Sequence, residues 1–149
     1  MTTRTTETIS TVANLVLSVL FLAIGSMFDA CMDKMAYHYD RSIFSKFRNQ
    51  GFWDPNISWI NKWTIVPNPS KPKGVEKFWG SSRWFVAFTD GWHTLQFFQL
   101  YFYASAAAIW VEIPGWNKFI VFNLALIAMR LIMGLVFVLF FDHLLIRRK

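Results

Sequence analysis

The chain has 149 residues, 54% of them apolar and 19% aromatic, with eight Trp and sixteen Phe. A water-soluble domain of this length has no interior large enough for so much apolar surface, which excludes an ordinary globular module in solution. The formal charge of +6 comes without a basic helix or reading motif, so nucleic acid is excluded as a partner, and the single Cys31 excludes an internal disulfide framework.

Taken in chain order, residues Ile9 to Phe28 carry no charge. They are long enough to cross ~30 Å of hydrocarbon at ~1.5 Å per helical residue. The flank Thr2, Thr3, Arg4 and Glu7 is not a basic cluster, and Ala30-Cys31 runs straight into charged sequence, so the segment reads as a retained helix and not as a cleaved signal. At 100° per residue Asn14, Ser18, Gly25 and Asp29 fall within about 60° of one another, a polar and small-residue stripe that should face another helix.

The loop from 31 to 83 is basic and rich in Trp. Asp54 is placed to cap a helix, Pro55 suits its first position, and Ile57, Ile60 and Trp63 follow at helical spacing. This predicts a short amphipathic helix lying in the headgroup layer. Pro67 to Gly74 is a turn-rich break.

A second apolar run goes from Trp84 to Val111, interrupted only by Asp90 and His93, and a third from Phe119 to Phe141, interrupted only by Arg130. On the third, Asn123, Arg130 and Gly134 form a narrow line expected to pack inward. The expected fold is therefore all-α: a single integral membrane domain with three transmembrane helices, about residues 9–29, 84–111 and 119–141, and an interfacial Trp-rich loop. Lys and Arg concentrate in that loop and in the tail Arg147-Arg148-Lys149, which predicts an N-terminus outside and the loop and C-terminus in the cytoplasm, facing anionic lipid heads.

All three histidines lie near span ends beside an aspartate: His38 with Asp40, Asp90 with His93, and Asp142 with His143. Neutral imidazole and carboxylate suit Zn, Mn or Fe, and helix bundles build such sites from ligands on different helices. The spacing matches no established metal motif. Arg130 sits mid-span, where an unpaired Arg costs about 2.5–3.5 kcal/mol on insertion scales. Asp90 or Asp29 is its expected ion-pair partner.

The stretches Phe52-Trp53-Asp54-Pro55-Asn56-Ile57-Ser58-Trp59-Ile60-Asn61-Lys62 and Thr89-Asp90-Gly91-Trp92-His93 carry a further signal. Over roughly residues 28 to 100 the chain resembles a group of small bacterial membrane proteins that share F-W-(D/N)-P-x-I-S-W-x-N-K and T-D-x-W-H. The resemblance implies the bacterial inner membrane and carries over no catalytic role.

Three functional readings follow. In the first, a cytoplasm-facing Asp/His site binds a divalent metal and acts on a lipid or amphiphilic substrate. In the second, the chain is a non-catalytic accessory subunit of a membrane complex, or a homo-oligomer, in which the charged residues fix helix register. The third is a holin-like pore former, which has no need of so elaborate a loop. Converging Asp and His side chains favour the first reading, and side chains engaged with separate neighbours favour the second.

Overall fold

A computed structural model describes residues 2–139. The order is α1 (Thr2–His38), α2 (Gln50–Trp53), α3 (Pro55–Ser58), β1 (Trp63–Ile65), β2 (Val75–Glu76), α4 (Gly91–Ala108) and α5 (Lys118–Val138), joined by turns and short 3-10 segments. Two segments, Thr8–Arg41 and Lys118–Val136, are long and apolar enough to cross a membrane, and only 17% and 11% of their most apolar stretches is buried. A core helix of a soluble protein would be mostly enclosed, so this exposure supports a membrane setting.

The run Trp84–Val111 does not form one helix. Val86–Phe88 is a 3-10 turn and α4 begins only at Gly91, leaving 18 residues, or roughly 27 Å by helical rise. The first helix is longer than its charge-free run: α1 extends to His38, into the expected loop. The reason is a continuing apolar stripe, Met32, Met35 and Tyr39, all buried in one cluster.

The described residues divide into two compact units, one made of the chain up to Gly25 with that from Leu100 onward, the other of Ser26–Gln99. In the first unit the stripe of α1 meets α4. Asn14 and Ser18 are buried. The Ser18 hydroxyl donates to the Ala106 carbonyl at 2.9 Å and accepts from Trp110 Nε1 at 2.7 Å. Gly25 lies under the Tyr103 ring, where a Cβ would stand 2.5 Å from the ring carbons. Asn117 caps α5, accepting from the Phe119 amide at 2.9 Å.

On α5 the packing edge is not the expected polar line. Leu126 packs with Ala104 and Ala108, flanked by Phe122, Ala125, Met129 and Met133. Asn123 is satisfied on its own helix, donating to the Phe119 carbonyl at 2.8 Å, and Gly134 faces open space. Two alanines on α4 leave room for the bulkier edge of α5, which buries more apolar area than a narrow polar line could.

The Ser26–Gln99 unit has a small core of Met32, Met35, Tyr39, Phe44 and Leu95, against which Phe28, Cys31, Trp53 and Trp92 pack. Gln50 organises the chain as it leaves α1. Its side-chain amide donates to the Ser45 carbonyl at 3.1 Å and to that of Phe47, and its oxygen accepts the Tyr39 hydroxyl. The expected Asp54 cap is present, accepting from the Asn56 amide at 2.9 Å with Pro55 at the first helical position. The helix it starts is a single turn, continued by a 3-10 turn from Trp59 to Lys62, and Trp63 then opens an antiparallel hairpin with Val75–Glu76.

Candidate functional site

The densest polar arrangement is at the start of α4. Asp90 precedes Gly91, and its carboxylate Oδ1 accepts from the His93 amide at 2.9 Å while its carbonyl accepts from the Thr94 amide at 3.1 Å. This is an N-cap, in which a side-chain oxygen satisfies an amide that the first turn leaves without a partner. The same carboxylate holds the His93 ring, with Nδ1 at 2.8 Å from Oδ1 and 2.7 Å from Oδ2, and it accepts the Thr89 hydroxyl at 3.1 Å. Asp90 is only 2% exposed.

Neighbouring segments fix this corner. Asn61 donates to the Thr89 carbonyl at 3.1 Å and to the Gly51 carbonyl at 2.6 Å, tying the middle of the loop to the start of α4. The Thr94 hydroxyl sits between the carbonyls of Ala87 and Asp90. Trp53 covers Gly91, and is itself stacked on Phe44 with ring centroids 5.5 Å apart. The ties from Asn61 to Thr89 and from Trp53 to Gly91 are not readable as a motif, because each joins residues far apart in the chain.

Chemically, the arrangement uses Asp90 as a cap and as the carboxylate that orients an imidazole. With Nδ1 carrying the hydrogen toward Asp90, Nε2 of a neutral His93 is left as an acceptor. Both carboxylate oxygens already take two contacts each, which leaves Asp90 poorly placed to be a direct metal ligand.

The other expected site residues lie apart from this pair. His38 and Asp40 are exposed where α1 ends. Asp142 and His143 lie outside the described residues. Among the described residues no group of three His, Cys, Asp or Glu is close enough to hold a metal ion. Asp29 accepts from Gln99 Nε2 at 2.7 Å. The ion pairs among the described residues are Asp90 with His93 and Glu112 with Lys118, and neither includes the half-buried Arg130.

Sequence reasoning passed over Glu76. Its carboxylate accepts from the amides of Gly80 at 2.9 Å and Ser82 at 3.1 Å, and from the Ser82 hydroxyl. The Ser82 hydroxyl first, then the Gly80 amide, hold this carboxyl below the usual carboxylate range. The available signal was an acid placed four residues ahead of Gly80-Ser81-Ser82, a turn whose free amides need an acceptor.

Comparison with protein-family models, with curated proteins and with solved structures finds no match for this chain.

Proposed function

We propose that the chain is a non-catalytic subunit of a membrane assembly. In this reading α1 and α5 cross the bacterial inner membrane, and the loop between α1 and α4 faces the cytoplasm. The observation that carries it is the engagement of Asp90, Asp29 and Glu76 within the fold. Asp90 caps α4 and holds His93, Asp29 binds Gln99, and Glu76 closes a turn. A site built for chemistry presents such groups to a substrate, whereas here they cap a helix, close a turn and hold neighbouring side chains.

The exposure of α1 and α5 adds to this. Val12, Val16, Val19 and Leu20 on α1, and Leu124, Ile127 and Leu131 on α5, are all exposed. That is more apolar helix surface than one copy of the chain covers, and it suits lipid and neighbouring helices. The folded, hydrogen-bonded loop weighs against a simple pore former.

Elemental analysis of detergent-purified wild type and His93→Ala tests the assignment. The expected result is no near-stoichiometric transition metal in either sample and a folded His93→Ala protein. Zinc, manganese or iron near one per chain in the wild type and absent from the variant would overturn it in favour of a metal site.

A further inference from the structure

Besides Tyr37 on α1, the most exposed aromatic residues of the Ser26–Gln99 unit lie close together in sequence. Trp79, Trp84 and Phe88 are 78%, 75% and 74% exposed. All three lie in one short stretch, which follows in sequence the segment 54–63 whose periodicity suggested an interfacial helix. Phe85 links Trp79 and Phe88 into a patch, with ring centroids 5.8 Å and 6.3 Å away, and Trp84 stands with Phe85 beside Gly80.

The turn that displays them is firmly built. Gly80 takes φ +76°, a conformation that disfavours side chains, and its carbonyl collects the amides of Arg83, Trp84 and Phe85 at 3.1, 2.8 and 2.8 Å. Glu76 takes the amides on the other side of the turn. Ser81 is fully buried, and its hydroxyl donates to the Lys62 carbonyl at 2.7 Å, fastening the turn to the hairpin. A loop with its own polar groups satisfied and its large aromatics turned outward is prepared for contact with an apolar or half-apolar surface.

Charge identifies that surface. From Lys62 to Phe88 the chain carries Lys62, Lys71, Lys73, Lys77 and Arg83 against the single acid Glu76. Lys77 and Arg83 flank the patch and are exposed. The unit also follows within one helix on the charge-free run Ile9 to Phe28, so a bilayer surface is its nearest large partner once α1 crosses. Trp at the headgroup level with Lys and Arg beside it is the composition that anionic membrane interfaces select.

We propose that the turn Trp79–Phe88 is a membrane-interface wedge, which seats Trp79, Trp84 and Phe88 in the headgroup layer of an anionic bilayer while Lys77 and Arg83 meet the lipid phosphates. The proposal rests on the reading of the chain as a membrane protein. The wedge fixes the depth of this turn at the membrane surface.

Depth measurement by electron paramagnetic resonance tests it on the full chain in nanodiscs. A nitroxide is placed at Trp84→Cys or Phe88→Cys in a Cys31→Ser background, with Ser70→Cys on the hairpin loop as the reference. In discs containing phosphatidylglycerol, labels at 84 and 88 are expected to show a several-fold higher ratio of oxygen to water-soluble nickel accessibility than the label at 70. Combined charge reversal, Lys77→Glu with Arg83→Glu, is expected to reduce that ratio in anionic discs and leave it unchanged in pure phosphatidylcholine. Equal ratios at 70, 84 and 88 in a chain incorporated into discs would overturn the wedge alone. Shielding of 84 and 88 from both oxygen and nickel would also overturn it, pointing to a protein contact. Failure of the chain to enter discs at all would instead count against the membrane reading.

Discussion

The Trp53 ring lies directly over the backbone of Gly91, so close that a Cβ on Gly91 would stand 2.5 Å from Trp53 Cε3. The ring has little freedom to retreat, because Phe44 stacks on it and Phe47 meets it edge-on with centroids 5.1 Å apart. Gly91→Ala is therefore expected to cost about 1–3 kcal/mol through overpacking. Thermal unfolding in detergent checks this. A variant as stable as wild type would show that the ring can move aside.

The Asp90 cap gives a second expectation. Asp90→Ala removes the acceptor for the His93 amide and the partner of its ring, and helix caps of this kind contribute about 0.5–2 kcal/mol. His93→Gln leaves the cap in place and should cost less. Denaturation midpoints of the two variants measure the difference, and a larger loss at His93 than at Asp90 would contradict the capping role.

Acidification should loosen the turn held by Glu76. Its folded pKa lies below the unfolded value, so its stabilisation is fully present above the ordinary carboxylate range and is lost as pH falls through the folded pKa. Monitored by Trp fluorescence, the wild type is expected to show an acid transition in this region. Glu76→Gln should lack it and be less stable near neutral pH. An identical acid profile for both proteins would refute the assignment.

Within the other unit, Ser18 joins α1 to α4 through Trp110 Nε1 and the Ala106 carbonyl. Ser18→Ala is expected to cost about 0.5–1.5 kcal/mol, the usual net contribution of one intramolecular hydrogen bond. Gly25→Leu should do far more damage, since the Tyr103 ring occupies the space of any side chain there. Unfolding in mild detergent ranks the two variants.

Local chemistry with a short reach was legible before the structure. The stripe Asn14, Ser18, Gly25 followed from helical geometry, and Asp54 with Pro55 announced a helix start that is present. The break at Asp90 was hidden because Trp84 to Val111 is apolar on both sides of it, and hydropathy does not distinguish a capped helix start from a polar residue inside a span. The packing edge of α5 was missed because Asn123 satisfies itself on its own turn, which removes the need for a neighbour. Asn61 acts through hydrogen bonds to the Gly51 and Thr89 carbonyls, and those depend on where the chain folds back.

Native mass spectrometry of the protein released from nanodiscs made directly from the expressing membrane tests the central claim, that this chain is one subunit of a membrane assembly. The account predicts a defined complex of fixed stoichiometry, either several copies of the chain or the chain with another membrane protein. A population consisting only of monomers under conditions that preserve known membrane complexes would contradict it.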